Sequence, residues 1–171
     1  MKLLTIFGTR PQFIKVSSIS NCIKKYDINE VIVNTGQHYD FNLSNIFFEE
    51  LSIPKLDYNL NIIESIPNIQ IGKMLIELDT IINYEKPDKI LVYGDTNSTL
   101  AGAISARKAN IPLIHVEAGI RSYNDKMPEE INRILTDHQS DFLFCPTKQA
   151  QKNLLNEGIS KGIYVVGDVM Y

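Results

Sequence analysis

Continuous apolar runs, separated by helical patterns, are the feature that most limits how this chain can fold. A strand with one face in water alternates apolar and polar residues, so an unbroken apolar run predicts a strand buried on both faces. Such runs, rich in β-branched residues, occur at 3–7, 31–33, 90–93, 113–116, 142–145 and 163–166. Helical patterns occupy 13–26, 43–51, 69–84, 99–109, 129–138 and 148–157. The alternation predicts an α/β domain whose parallel sheet is covered by helices on both faces.

Size, charge and cysteine content narrow the class of protein. The 171 residues suit one domain, and the formal charge of -3 comes with scattered cations, which argues against a nucleic-acid partner. No apolar run approaches the roughly 20 residues that span a bilayer, so we expect no membrane association. Two isolated cysteines, Cys22 and Cys145, favour a reducing cytoplasm. The last predicted strand is followed by a Gly-Asp turn that should lead onward, so we expect residues 1–171 to be the N-terminal domain of a longer protein.

The turn after the first predicted strand has the composition of a diphosphate site. Ligands of open parallel sheets bind at the carboxyl ends of the strands. There Gly8 permits a tight turn, Arg10 lies beside a helix N-terminus, and Lys15 follows one turn later. A local salt bridge of Arg10 is the alternative. Gly8 stands alone and no acidic residue ends the second strand, which argues against a nicotinamide dinucleotide; a G-x-x-x-x-G-K-[ST] loop for ATP is also missing.

Carboxylates follow two further strands. Asp95 comes after the strand at 90–93, where a helix N-cap formed by Asp95 or Thr96 is the structural alternative. Glu117 ends the strand at 113–116 and precedes Ala-Gly, so no helix begins there for it to cap and a functional role is favoured. Close carboxylates raise one another's pKa, which lets one serve as an acid while another serves as a base.

The helix predicted to start near residue 128 brings two more acids to the same edge of the sheet. Acids such as Glu129 and Glu130 in a first helical turn more often balance the helix dipole than catalyse, but their convergence with two strand ends favours a function. The periodicity predicts that Glu129 and Arg133 form an exposed i, i+4 pair. The predicted buried stripe of this helix consists of Ile131, Ile134, Leu135 and His138.

The histidines differ in what their positions predict. His115 lies inside a strand run and is interpreted as a hydrogen-bonded core residue. His38 follows the second strand on the ligand side of the sheet and could contact a ligand. No set of His, Cys and carboxylates has the spacing of a metal site, so we expect no metal.

Seven stretches of the sequence match one known family. They are GTRPQFIKV, TGQHYD, VYGDTNSTLAG, HVEAGIRS, MPEEINRILTDH, CPTKQA and VVGDVMY, and they run from residue 8 to the end. On these motifs the chain resembles the non-hydrolysing UDP-N-acetylglucosamine 2-epimerases. The resemblance implies the first of two Rossmann-like domains of a glycosyltransferase-B type fold, with the active site in the cleft between them. It also implies a homodimer and a reaction without metal or redox cofactor.

The reaction that the resemblance implies is proton abstraction at C2 of the sugar with anti elimination of UDP, followed by re-addition through a 2-acetamidoglucal. It implies catalytic roles for Asp95, Glu117 and Glu129, without deciding which is base and which is acid. The residues for which it implies contacts to the UDP-sugar substrate are Arg10, Lys15, Gln37, His38 and Arg133.

Two departures from the family pattern concern regulation and substrate. Asp40 stands where substrate-activated members carry Gln, and residues 60–65 lack their Arg, so we do not expect activation by substrate. The sequences of several motifs resemble those of the family branch that acts on UDP-2,3-diacetamido-2,3-dideoxyglucuronate. That nucleotide sugar stays open as an alternative substrate. A glycosyltransferase of the same architecture and a non-catalytic fragment are the other two alternatives.

Overall fold

A computed structural model describes residues 1–37 and 55–170 and contains one parallel sheet in that part of the chain. The sheet order is β3-β2-β1-β4-β5-β6-β7, and all neighbouring strands run parallel. The strands are β1 (Lys2–Phe7), β2 (Asn29–Asn34), β3 (Tyr58–Asn59), β4 (Lys89–Tyr93), β5 (Leu113–Val116), β6 (Phe142–Cys145) and β7 (Ile163–Val165). The predicted α/β fold with a parallel sheet is confirmed.

Five helices connect these strands in the described ranges. They are α1 (Arg10–Ile23), α2 (Pro67–Glu85), α3 (Asn97–Lys108), α4 (Pro128–Gln139) and α5 (Lys148–Asn156). Each lies within a few residues of a predicted helical pattern, whereas the pattern at 43–51 lies outside the described residues. Strand β3 was not predicted, because a two-residue strand is too short to produce a periodic signal.

Alternating residues of the central strands build the two larger hydrophobic clusters on opposite faces of the sheet, and a third cluster packs β6 against α5. On one face Ile6 and Val92 pack with Met74 of α2 and Ala103 of α3, and on the other Phe7 and neighbouring strand residues pack against α1. Helix α3 approaches the sheet closely, since a Cβ added at Gly102 would lie 2.7 Å from Val92 Cγ1. The small residues of α3 thus allow the backbone contact that places its N-terminus near the strand ends.

The prediction that the strands are buried on both faces is confirmed for the central strands and is wrong for β7. Tyr164 and Val165 are 48% and 43% exposed, because β7 lies at the edge of the sheet. Among the residues that the structure describes, no helix is both long enough and apolar enough to cross a membrane.

The order of strands places a crevice beside β1. β2 and β4 flank β1 on its two sides. The strands up to β3 are added on one side of β1 and those from β4 onward on the other, so the strand order reverses between β1 and β4. Ligands of open parallel sheets bind outside the carboxyl ends of strands at such a reversal. The turns that follow β1, β4 and β5 are therefore the first place to look for a site.

Candidate active site

The turns after β4 and β5 bring Asp95 and Glu117 to one edge of the sheet. β4 and β5 are paired in register up to Tyr93 and Val116, and the Gly94 N–H donates to the Val116 carbonyl at 3.0 Å. Glu117 Oε2 lies 3.4 Å from the position that a Cβ on Gly94 would take. The carboxylate of Glu117 is therefore packed against the residue that precedes Asp95.

Glu117 has a backbone conformation that only its surroundings can hold. Its φ is +71°, in the left-handed region that non-glycine residues seldom adopt and that recurs at functional sites. Its Oε2 lies 2.5 Å from Lys15 Nζ, and both side chains are about 15% exposed. Lys15, which was predicted as a cation for the diphosphate, therefore contacts a carboxylate of the site in this structure.

Asp95 is held by α4 through both its side chain and its backbone. Its Oδ2 accepts hydrogen bonds from Arg133 Nε at 2.9 Å and Nη2 at 2.6 Å. The amide of Asn132 donates to the Asp95 carbonyl oxygen at 2.9 Å. Arg133 keeps only 13% of its side chain exposed, so the prediction that it lies in an exposed pair is wrong. Two consecutive residues of α4 thus fix the Asp95 turn.

Glu130 is the buried acid of the first turn of α4. Its carboxylate accepts hydrogen bonds from the backbone N–H groups of Ser122 and Tyr123 and from Arg133 Nη1 at 2.8 Å. Burial alone would raise its pKa, but the hydrogen bonds from Ser122, Arg133 and Tyr123 outweigh it and lower the pKa to about 2. Glu130 is thus an ionised group that joins α4 to the loop after β5.

Glu129 lies one residue earlier and is exposed. Arg133 pairs with Glu130 and Asp95, so the expected i, i+4 pair between Glu129 and Arg133 is not the arrangement found. The catalytic role of Glu129 stays a prediction.

The predicted buried stripe of α4 is wrong. Ile131 and Leu135 are 49% and 45% exposed, and His138 is exposed as well. The buried residues are instead polar: Glu130, Asn132, Thr136 and Asp137. The apolar periodicity was misleading because α4 packs against the polar edge of the sheet, where Asp95, Ser122 and Arg121 supply partners.

Gln12 connects the turn after β1 to the end of β4. It was not predicted from the sequence. Its Oε1 accepts from the backbone N–H groups of Gly8 and Thr9, at 2.8 and 3.1 Å. Its Nε2 donates to the Tyr93 carbonyl at 2.6 Å. The signal was present in the sequence, since Thr9 and Gln12 have the spacing of a capping box and form one at the start of α1.

Three other residues were predicted to contact the substrate: Arg10, Gln37 and His38. Arg10 is the exposed first residue of α1. The Oε1 of Gln37 accepts from Ser98 N at 3.0 Å and Ser98 Oγ at 2.9 Å, so Gln37 covers the N-terminus of α3. His38 lies outside the described residues. Gln37 also lines a cavity of about 420 Å³ whose other walls are Ile63, Glu64, Ser65, Pro67, Gln70 and Asn97.

A fully buried cluster lies behind these turns. His115 is 0% exposed with both ring nitrogens hydrogen-bonded, which confirms its interpretation as a satisfied core residue. One of its partners is Asp137, which also contacts Arg121. Sequence reasoning did not connect these residues, because they come from β5, α4 and the loop between them.

Comparisons with known proteins agree on one family. A family model described as UDP-N-acetylglucosamine 2-epimerase matches residues 21–171. A protein of Methanococcus maripaludis named as a homologue of that enzyme is 57% identical over the whole chain, which covers 48% of its length. A UDP-2,3-diacetamido-2,3-dideoxy-D-glucuronate 2-epimerase of Pseudomonas aeruginosa is 56% identical over 99% of the chain and 49% of its own length.

Solved structures agree with the sequence relatives. The crystal structure of Methanocaldococcus jannaschii UDP-GlcNAc 2-epimerase in complex with UDP-GlcNAc and UDP has a TM-score of 0.95 and 53% identity, over 98% of this chain and 47% of that one. A lipopolysaccharide outer core galactosyltransferase, at a TM-score of 0.68 and 15% identity, shares the fold alone. The chain spans about half the length of the curated relatives it matches.

Proposed function

The chain belongs to the UDP-N-acetylglucosamine 2-epimerase family, and from that premise we propose that it is the N-terminal domain of an enzyme that interconverts UDP-GlcNAc and UDP-ManNAc. The domain spans residues 1–171 and contributes one wall of the active-site cleft. The reaction supplies a sugar nucleotide for a surface polysaccharide.

The proposed chemistry needs a base and an acid at C2 of the sugar. A carboxylate removes the C2 proton, the electrons of the C–H bond form a C1–C2 double bond, and the C1–O bond to UDP breaks. UDP then adds back to C1 of the 2-acetamidoglucal while a proton is delivered to the other face of C2. General acid–base groups contribute about 10²–10⁴-fold to such steps.

The observation that carries the proposal is the convergence of Asp95 and Glu117, each paired with a cation from a different helix. Lys15 of α1 contacts Glu117, and Arg133 of α4 contacts Asp95. Carboxylates and cations at one edge of a sheet suit a reaction that moves a proton and releases an anionic diphosphate. The exposed Glu129 is the third proposed catalytic acid.

Lys15 has two roles in this proposal. It pairs with Glu117 at 2.5 Å before substrate enters, and it lies on α1 one turn beyond Arg10. A diphosphate bound at the N-terminus of α1 would attract both cations. Lys15 then moves from Glu117 to the phosphate, which leaves the Glu117 carboxylate available for the C2 proton. Gln37, His38 and Arg133 complete the proposed contacts to the substrate.

A second candidate substrate is UDP-2,3-diacetamido-2,3-dideoxyglucuronate. The observation in its favour is the Pseudomonas aeruginosa relative, which is named for that substrate and is nearly as similar as the Methanococcus maripaludis relative. Both substrates undergo the same change at C2, so the proposed roles of Asp95, Glu117 and Glu129 are the same for both.

We also propose a cytoplasmic homodimer as the working form of the full gene product. The two isolated cysteines suit a reducing compartment. Light scattering after size exclusion measures the mass directly, and a monomer at micromolar concentration would contradict the dimer.

The proposed function is tested by proton NMR in D2O. UDP-GlcNAc is incubated with this chain and, separately, with the full gene product that contains it, and the diacetamido-glucuronate nucleotide is tested in the same way. Deuterium at C2 together with a manno product supports the proposal and identifies the substrate. Activity of the full product but not of this chain would show that more of the protein is required. No exchange with either nucleotide would overturn the epimerase assignment.

Glu117→Gln supplies the matching mutational test. We expect C2 exchange in the full gene product to fall at least about 100-fold, because the amide cannot accept the proton. The control is Glu77→Gln, the same substitution at an exposed position of α2, which should exchange at the wild-type rate. Full activity of Glu117→Gln would exclude Glu117 as the catalytic acid or base.

A further inference from the structure

His115 lies between the Asp95 turn and the interior of the protein and contacts two groups that accept hydrogen bonds. Its Nε2 is 2.7 Å from the Gly94 carbonyl oxygen, and its Nδ1 is 2.7 Å from Asp137 Oδ1. The ring is completely buried, so no water competes for either nitrogen. A carbonyl oxygen only accepts, so Nε2 must carry a hydrogen.

The state of Asp137 decides what Nδ1 carries. Asp137 Oδ2 accepts from Arg121 Nη1 at 2.7 Å and from the Gly119 N–H at 3.0 Å. Burial acts to raise the pKa of Asp137, but the charges and hydrogen bonds of His115 and Arg121 outweigh burial and lower it. Arg121 is always protonated and, like the Gly119 N–H, donates to Oδ2, so Asp137 is an ionised acceptor whatever the charge of His115, and Nδ1 must carry a hydrogen as well.

The charges of this cluster balance within the protein. Arg121, whose side chain is 1% exposed, also donates to both carboxylate oxygens of Glu157 at 2.7 Å. Arg121 thus faces two carboxylates, Asp137 and Glu157, of which Asp137 also contacts His115 and Glu157 also contacts His138 at 3.4 Å. A buried charge is tolerated when it is paired and hydrogen-bonded in this way.

The cluster holds both turns that carry the proposed catalytic carboxylates. His115 binds the carbonyl of Gly94, the residue before Asp95, and Asp137 binds the N–H of Gly119, two residues after Glu117. Gly94, Glu117 and Gly119 all have left-handed φ values, of +63°, +71° and +79°. Glycine adopts such a conformation freely, whereas a glutamate keeps it only where surrounding contacts fix it.

We propose that His115 is a positioning residue, held as an imidazolium by Gly94 and Asp137, that sets the spacing between the carboxylates of Asp95 and Glu117. The role rests on the proposed epimerase function. His115 does not touch the substrate; it acts through the backbone of the Asp95 turn. A misplacement of a reacting group by about 1 Å costs about 100-fold in rate, which is the size of effect that the loss of this contact should produce.

The first test is nitrogen NMR of this chain with labelled histidine at neutral pH. Both ring nitrogens of His115 should give resonances of the protonated type, each with a directly bonded hydrogen. A resonance of the unprotonated type for either nitrogen would overturn the imidazolium. The measurement needs no activity, so its result is independent of the proposed function.

The second test separates the two hydrogen bonds in the full gene product. The amide nitrogen of His115→Gln reaches the place of Nε2 and keeps a donor toward Gly94, whereas that of His115→Asn reaches the place of Nδ1 and keeps a donor toward Asp137. We expect kcat to fall about 100-fold in His115→Asn and much less in His115→Gln, with KM nearly unchanged in both. Equal losses of kcat in the two variants would overturn the positioning role.

Stability is controlled with a buried substitution far from the cluster. Leu78→Ala on α2 removes core packing without touching the site, so it should keep the wild-type kcat. A loss of kcat in Leu78→Ala similar to that in His115→Asn would show that destabilisation alone explains the effect. Absence of C2 exchange in the wild-type protein would overturn the proposed function itself, which is distinct from failure of the His115 variants.

Discussion

Helices α2 and α4 lie on either side of α3 and bury opposite kinds of residue. Helix α2 buries Met74, Leu78, Ile81 and Ile82 in the hydrophobic core, as its periodicity predicts. Helix α4 buries Glu130, Asn132, Thr136 and Asp137 and exposes Ile131 and Leu135. The helix beside the sheet's apolar interior follows the amphipathic rule, and the helix beside the turns of the site inverts it.

The charged residues of the buried α4 face are buried together with fixed partners. An unpaired charge in the interior is costly, so Glu130 and Asp137 are buried together with Arg133, Arg121 and His115. Such a face contributes little net stability over an apolar one, but removing a single partner leaves the others uncompensated. Helix α4 is thus more sensitive to single changes than its composition indicates.

The largest effect on stability is expected from Asp137→Ala. It leaves Arg121 and His115 buried without their shared carboxylate, which should lower the free energy of unfolding by about 3–5 kcal/mol. Urea denaturation followed by circular dichroism measures the change. The control is Asp79→Ala on the exposed side of α2, where we expect less than about 0.5 kcal/mol. Equal effects of the two substitutions would show that removing the buried carboxylate of Asp137 destabilises the protein no more than removing an exposed one.

Leu78→Ala is the apolar counterpart on α2. Leu78 is completely buried, and truncation to Ala should lower the free energy of unfolding by about 3 kcal/mol through lost burial and the cavity left behind. Ile76, which is 68% exposed on the same helix, provides the control, and Ile76→Ala should change stability by less than about 0.5 kcal/mol. A small effect at Leu78 would contradict the tight packing of α2 on the sheet.

Glu130→Gln tests the charge at the start of α4. Loss of hydrogen bonds to an ionised group should lower the free energy of unfolding by about 2 kcal/mol at pH 7. The folded-state pKa of Glu130 is lowered from 4.5 to about 2, so its stabilisation is fully present above pH 4.5 and is lost as the pH falls through about 2. The difference between wild type and variant should therefore shrink between pH 4.5 and 2. The control is Glu129→Gln at the exposed neighbour, which should change the free energy of unfolding by less than about 0.5 kcal/mol at pH 7. Equal losses in the two variants would refute the assignment.

The smallest effect is expected on the exposed apolar side of α4. Ile131→Ser should change the free energy of unfolding by less than about 0.5 kcal/mol, because the side chain is 49% exposed. The same denaturation assay measures it. A loss of 2 kcal/mol or more would mean that Ile131 is buried in solution, as the periodicity of the sequence predicted.

Much of the architecture followed from the sequence. The unbroken apolar runs predicted six of the seven strands, and the positions after them led to Asp95 and Glu117, which the structure brings to one edge of the sheet. The missed strand, Tyr58–Asn59, has no periodicity to read because it pairs through only two residues. The prediction of which α4 residues are buried was wrong, because apolar periodicity indicates the buried face only where a helix packs against an apolar surface.

The sequence by itself determined the parallel α/β sheet, the elements that end at the site and the family to which the chain belongs. Only the tertiary structure decided which charges are paired: Lys15 with Glu117, Arg133 with Asp95 and Glu130, and Asp137 with His115 and Arg121. The positions of the longer strands depend on local apolar content, which the chain displays directly. Pairing depends on distances between residues up to 102 positions apart, and those distances exist only after the sheet has assembled.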